Sequence, residues 1–435
     1  MKRVNVITMG CSKNLVDSER VLHLLAEAGI DAVHEEADFR DGSVIINTCG
    51  FIGDAKEESI AAILDACRCK AEGIIDKVYV MGCLSERYSK ELPTEIPEVD
   101  GWFGKFDWDA VVKAVTSAAP VVSSKFDWGR ELSTPRHHAY LKIAEGCNRM
   151  CAFCAIPLIT GRYRSRRPDE IVEEVKQLVA KGVKEFNVIA QDLSNYGRDL
   201  KGENNSTPLA TLLERISDIP GVEWIRLHYA YPADFPYEIL PVMASRANIC
   251  KYLDIALQHI DDKVLDNMHR HIDAEATRRL LARIRQEVPG IHIRTTLMVG
   301  FPGETEEAFE RLVDFVKEQR FDRMGAFAYC EEEDTRAARE FSDDIPQDVK
   351  DRRVQAIMDI QEEIALEINQ KKIGSIQRVI IDSENDDYYV GRTQYDSPEV
   401  DPEVLVEKNK ELEIGEFYDV KITRAMPFEL MGTAL

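Results

Sequence analysis

The ten residues Glu145-Gly146-Cys147-Asn148-Arg149-Met150-Cys151-Ala152-Phe153-Cys154 place three cysteines at C-x3-C-x2-C spacing, directly after the alternating run His138–Ala144. Three thiolates this close together ask for a metal, and thiolate ligands select zinc, copper(I) or an iron-sulfur cluster. A structural zinc site takes four ligands from paired knuckles, and no fourth ligand stands out nearby. The count points to a cluster with one open iron.

Beyond this loop, strand and helix patterns alternate. Lys184–Ala190, Val222–Tyr229, Lys251–Leu257, Ile291–Val299 and Arg320–Tyr329 read as strands, separated by helical stretches such as Pro168–Lys181, Ala274–Gln286 and Thr305–Lys317. With His138–Ala144 these make six βα units, short of the eight of a closed barrel, so the expectation is an α/β fold with a partial (βα)6 barrel. Barrel chemistry sits at the carboxyl ends of the strands. Those ends carry Cys147, Cys151 and Cys154, then Gln191-Asp192, His228-Tyr229, Gln258-His259 and Gly300-Phe301-Pro302-Gly303-Glu304. The Gly-Pro turn lets backbone approach a flat or phosphorylated ligand, although glycine and proline are also ordinary turn formers. His228 and His259 read as acid-base groups or as polar lining, and no catalytic residue is assigned.

Upstream, Arg3–Met9, Ser43–Asn47 and Lys77–Met81 are apolar runs, each followed by a helical pattern: Leu15–Ala28, Asp54–Lys70 and Leu84–Lys90. This alternation predicts a parallel, Rossmann-like sheet, whose ligands gather beyond the strand carboxyl ends. Cys11, Cys49 and Cys83 each lie just past a strand and beside a glycine, so they can converge on one crevice; the plain alternative is three buried small side chains. Cys67 and Cys69 point to different faces of a helix and read as structural, and Cys250 and Cys330 as bystanders. Gly101–Arg136 reads as a domain edge and connector. After the polar helix Gln347–Lys372, the short strands Gln377–Asp382, Asp387–Gln394 and Tyr418–Arg424 predict a small antiparallel β-barrel. The expected domains are 1–130, 131–370 and 371–435.

A chain of 435 residues with 44% hydrophobic and 31% charged residues fits two or three globular domains. No apolar run reaches the about 18 residues of a membrane span, and Met1-Lys2-Arg3-Val4-Asn5-Val6-Ile7 lacks a secretory apolar region. A cytoplasmic location is expected, where ten cysteines are ligands or buried groups rather than disulfides. A net charge of -23 argues against unspecific binding to nucleic acid or anionic lipid and favours basic partners.

Glu145–Cys154 with Ile156-Pro157 resembles the radical S-adenosylmethionine (SAM) superfamily. Gly10-Cys11-Ser12-Lys13-Asn14-Leu15-Val16-Asp17-Ser18-Glu19, Asn47-Thr48-Cys49-Gly50-Phe51-Ile52, Arg226-Leu227-His228-Tyr229-Ala230-Tyr231-Pro232 and Leu253-Asp254-Ile255-Ala256-Leu257-Gln258-His259 resemble its methylthiotransferase branch, in the version that modifies a ribosomal protein. The resemblance spans essentially the whole chain. Two positions depart from it: Thr160 stands where many relatives have arginine, and Asp334-Thr335 where they often have Gly-Thr.

The resemblance implies that Cys147, Cys151 and Cys154 hold a 4Fe-4S cluster whose open iron binds SAM, which one electron cleaves to methionine and a 5′-deoxyadenosyl radical. It implies a second 4Fe-4S cluster on Cys11, Cys49 and Cys83, where sulfur is held and methylated. Gln191, Gln258, Gly300, Pro302 and Gly303 are expected around SAM. The implied substrate is an aspartate of the small-subunit ribosomal protein numbered twelve, modified at its β-carbon, including within the small subunit, with a low-potential electron donor as a further partner. The tail is by resemblance a TRAM domain, which grips RNA in tRNA-modifying relatives. An RNA grip needs Lys and Arg, whereas Ile373–Leu435 carries six Lys/Arg against fourteen Asp/Glu. A protein substrate is therefore expected ahead of tRNA adenosine. A non-enzymatic two-cluster electron carrier would have no use for the barrel.

Overall fold

Segments such as Ser43-Val44-Ile45-Ile46-Asn47-Thr48, apolar on both faces, suit parallel strands covered by helices on each side. The computed structural model, which describes residues 3–116, 129–200 and 208–435, shows this arrangement. Strands β1 (Arg3–Thr8), β2 (Asp31–His34), β3 (Ser43–Thr48), β4 (Lys77–Gly82) and β5 (Gly101–Trp102) form a parallel sheet in the order β2-β1-β3-β4-β5. Val4, Val6, Ile45 and Met81 pack with Val21 and Leu25 of helix Ser12–Glu27. The alternate residues Val44, Ile46, Val78 and Val80 pack with Ile63 and Cys67 of helix Gly53–Ala71. β2 and β5 escaped the sequence reading because they are too short to show a period. The expected connector contains a helix, Trp108–Thr116, and its residues 117–128 lie outside the described ones.

The chain divides into two compact units. The first is the chain up to Thr134 with Tyr140–Asn148 and Cys154–Gln177; the second is Pro135–Ala139, Arg149–Phe153 and Leu178–Leu435. The three-cysteine loop is bracketed in the first unit by a short antiparallel pair, β7 (Ala144–Glu145) and β8 (Arg164–Ser165).

Six strands, β6 (His138–Lys142), β9 (Glu185–Ile189), β10 (Trp224–Ala230), β11 (Ile249–Ile255), β12 (His292–Val299) and β13 (Arg323–Ala328), lie side by side in chain order, the succession of a partial barrel. Its later helices start where the sequence offers caps: Asp273 Oδ1 accepts from Ala276 N at 2.6 Å and Thr305 Oγ1 from Ala308 N at 3.2 Å. The tail closes into a five-stranded barrel of β14 (Ile376–Glu384), β15 (Tyr388–Thr393), β16 (Glu403–Glu407), β17 (Phe417–Ala425) and β18 (Glu429–Ala434). It is antiparallel as expected except at one pairing. β16 and β18 run parallel, because β17 intervenes between them in the chain but joins the other edge. Among the described residues no helix is long and apolar enough to cross a membrane.

Within the second unit, Trp224, Cys250 and Tyr252 pack against Ile380 and Phe417 of the tail. Beside them Glu185 is fully buried between two arginines: Arg392 Nη2 donates to Oε2 at 2.7 Å and Arg226 Nε to Oε1 at 3.1 Å. Burial alone would raise the Glu185 carboxyl, but the Arg392 and Arg226 charges bring it down to about 2. The depressed value means this stabilisation is present above the unfolded carboxylate range and is lost as pH falls from about 4.5 towards about 2. Glu185→Gln takes the carboxylate from the buried Arg226 guanidinium, while Arg392 keeps Asp382, and is expected to cost about 3 kcal/mol at neutral pH. Denaturant titrations followed by tryptophan fluorescence should show that loss, together with a weaker acid dependence than the parent protein over the same pH range.

Candidate functional site

In the first unit the ends of β1, β3 and β4 are tied together by buried amides and hydroxyls. Asn14 Nδ2 donates to Met9 O and Thr48 O, both at 3.0 Å; Asn47 Nδ2 donates to Asn14 O at 2.8 Å; Thr48 Oγ1 donates to Met81 O at 2.6 Å. These bonds bring Cys11, Cys49 and Cys83 to one place. A Cβ on Gly10 would stand 2.8 Å from Cys49 Sγ, and the Cys83 thiol reaches Asn14 Oδ1 at 3.5 Å. Gly10 itself has φ +89°, a left-handed backbone that glycine adopts without strain.

A buried lysine faces this trio. Lys105 Nζ donates to Asp17 Oδ2 at 2.9 Å and to Asn14 Oδ1 at 3.2 Å, while Asp17 also receives Lys142. Burial pushes the Cys83 thiol up to about 11 against the pull of Lys105, and pushes Cys49 up as well. Lost hydration also raises Cys11, but Lys13 and Lys105 outweigh it and hold that thiol below its ordinary value. Among the described residues no three His, Cys, Asp or Glu side chains are set as ligands of a single metal ion. A cluster makes a different demand, since each of its irons takes its own thiolate.

The same unit holds Cys147 and Cys154. Cys147 N donates to Gly161 O at 3.2 Å, and the helix Ile156–Thr160, which follows Cys154, packs against the helix Cys83–Arg87. Thr160 turns its hydroxyl back to Ile156 O at 3.0 Å.

Cys151 belongs to the second unit, where β10 and the loop after β11 surround it. Arg270 Nη1 donates to Cys151 Sγ at 3.2 Å, and the Tyr231 hydroxyl lies 3.6 Å from the same sulfur. Ala152 N donates to Met268 O at 2.9 Å, and Phe153 meets Phe301 edge to face, with ring centroids 6.5 Å apart. Phe153 is thereby anchored on the Gly300–Glu304 turn. Arg149 Nε donates to Asp192 Oδ2 at 2.6 Å, and its guanidinium lies 4.3 Å from the Tyr231 ring centroid.

Gly300 N donates to Glu304 Oε2 at 2.8 Å, and Glu304 receives Arg353 Nη1 at 2.7 Å. Gln258 has φ +72°, and its buried Oε1 has no hydrogen-bond partner among the described residues, as a residue awaiting a ligand would. Gln191 is half-buried beside Asp192. His259 is enclosed against Glu304 at 3.4 Å, and His228 has Asn187 at 3.3 Å and Ser397 at 3.5 Å. Asp334 has φ +61°, a left-handed backbone that glycine adopts without strain. A cavity of about 600 Å³ opens nearby, lined by Asp234, Tyr237, Asp266, His269 and His271 among others, and none of the five residues expected around SAM lines it. Lys105, Arg149, Tyr231 and Arg270 were missed from the sequence, since isolated cations and a tyrosine carry no spacing signal.

Donors and fold together define a radical SAM enzyme, and the profile of the radical SAM superfamily matches residues 141–316. Profiles described as uncharacterized protein family UPF0004 and as a TRAM domain match residues 3–104 and 373–435. The chain is 56% identical to a protein of Phocaeicola vulgatus over all of both chains, and 54% identical to one of Parabacteroides distasonis over all of this chain and 99% of that one; both are named ribosomal protein uS12 methylthiotransferase RimO. It belongs to the RimO family of methylthiotransferases. The radical SAM methyltransferase TsrM of Kitasatospora setae, 16% identical, shares the fold at a TM-score of 0.54 over 75% of this chain and 72% of that one.

The crowding at Gly10 gives a test of the strand-end arrangement. Gly10→Ala meets both backbone strain and the Cys49 side chain, so overpacking adds about 1–3 kcal/mol to the strain. Gly29→Ala, at φ +74° with nothing within 4 Å, should show only the strain, about 1–2 kcal/mol. Urea unfolding of the two variants compares them.

Proposed function

We propose that this chain transfers a methylthio group to the β-carbon of an aspartate in ribosomal protein uS12, free or within the small subunit. The observation that carries the reading is the convergence of Cys11, Cys49 and Cys83 at three strand ends, in a chain that also has the Cys147, Cys151, Cys154 loop. In this reading the loop holds one 4Fe-4S cluster and the strand-end trio a second, with Gln191, Gln258, Gly300, Pro302 and Gly303 around SAM. When bound, the cluster and SAM supply one-electron chemistry that abstracts hydrogen from an unactivated carbon.

The chain's own residues bind and orient. Phe153 packs on Phe301, Gln258 offers its unpaired amide oxygen, and Lys105 holds negative charge at the strand-end trio. A protein substrate is favoured over tRNA because the tail carries six Lys/Arg against fourteen Asp/Glu and three of those cations are already paired: Arg392 with Glu185, Arg378 with Glu223, and Lys408 with Glu384. We also propose the domains 1–130, 131–370 and 371–435, a cytoplasmic location and a low-potential electron donor.

Anaerobic reconstitution with iron and sulfide should give about eight irons per chain, four for each cluster. About four would remove the second cluster. With SAM and a reductant, mass spectrometry should find the methylthio group on uS12; a modified tRNA beside an unmodified uS12 would overturn the choice of substrate.

A further inference from the structure

We propose that Arg270 is the built-in counter-ion of the cluster held through Cys151, a positioning residue that stabilises the reduced cluster and so sets the potential at which it accepts an electron. The inference rests on the reading that Cys151 is an iron ligand.

Arg270 is 3% exposed, and among the described residues its guanidinium has no carboxylate partner. Its contacts are Cys151 Sγ at 3.2 Å, the carbonyl of Ala256, and the Tyr231 ring, whose centroid is 4.1 Å away; its Nε has no hydrogen-bond partner among the described residues. A buried guanidinium without an anion is costly, and such charges are otherwise paired or bound to ligands. Arg149 shows the contrast on the same ring. It has Asp192 at 2.6 Å and Asp234 at 2.9 Å, so its charge is answered within the protein. For Arg270 the one acceptor that can become an anion is the sulfur of Cys151.

Nor is the contact a loose one. Arg270 N donates to Leu265 O at 2.9 Å, Arg270 O accepts the Tyr231 hydroxyl at 2.9 Å, and the neighbouring Met268 carbonyl holds Ala152 of the cysteine loop. Guanidinium and thiol are therefore fixed to each other by backbone on both sides. Reduction brings one electron from a low-potential one-electron donor; no bond forms or breaks, and the added negative charge spreads over iron and sulfur. A fixed positive charge in a poorly hydrated site attracts that charge more than it attracts the oxidised state. Hydrogen bonds to cluster sulfurs and net charge are the recognised determinants of such potentials. Arg270 supplies both at once.

The test uses the full chain, reconstituted anaerobically and titrated with dithionite while the electron paramagnetic resonance signal abolished by Cys151→Ala is followed. Arg270→Gln should load iron as the parent does, yet at the parent's midpoint its ratio of reduced to oxidised cluster should fall by about tenfold, a shift of about 59 mV for one electron. Arg270→Lys, which keeps the charge, should restore most of that ratio. An Arg270→Gln protein that loads iron and titrates with the parent overturns the proposal while leaving the cluster reading intact. A parent protein that shows no Cys151-dependent signal overturns the cluster reading itself. If Arg270→Gln does not fold by circular dichroism, the parent labelled with ¹⁵N-arginine decides: pulsed resonance of its reduced cluster should show a ¹⁵N coupling that Arg270→Lys lacks, and its absence from the parent overturns the proposal.

Discussion

A thiolate can persist away from water only beside a positive charge, and both cysteine sets of this protein meet that condition with a buried cation. Lys105 faces Cys11, Cys49 and Cys83, and Arg270 faces Cys151. The two cations are balanced differently. Lys105 pairs with Asp17, which also takes Lys142, and Lys142 pairs in turn with Glu145, so these ammonium groups are answered by carboxylates, whereas among the described residues Arg270 has no carboxylate and meets the Cys151 sulfur. At Arg270 positive charge stands without a carboxylate where iron-bound sulfur would bring negative charge, and the backbone around it holds it in place.

The supporting framework is hydrogen-bonded rather than apolar. At the strand ends of the first unit the side chains of Asn14, Asn47 and Thr48 take up backbone groups that would otherwise be buried and unpaired. In the second unit Tyr231, Met268 and Arg270 do the same for the cysteine loop. Apolar packing takes over one layer out, through Phe153 against Phe301 and through the two faces of the five-stranded sheet. The tail is bound to β9 and β10 by the Glu185–Arg392 ion pair and the Trp224–Phe417 contact, which buries Arg392.

Much of this was legible in the chain. Strand-helix alternation, the loop cysteines and the glycine-adjacent cysteines each repeat a local pattern, and local patterns survive folding. The short strands β2 and β5 and the parallel pairing of β16 with β18 did not show, because the former are too brief to have a period and the latter depends on which edge β17 takes. His228 and His259 looked open to acid-base use; their enclosure by Asn187, Ser397 and Glu304 is made by residues far away in sequence.

By itself the sequence determined the class of protein, since three thiols within ten residues and the strand-helix alternation around them are local patterns that carry the radical SAM resemblance. Only the tertiary structure decided what charge those thiols meet. Arg270 is 119 positions from Cys151, and Lys105 is 91 from Asn14. Contacts across such separations are set by how strands and loops pack, and no spacing rule along the chain encodes them.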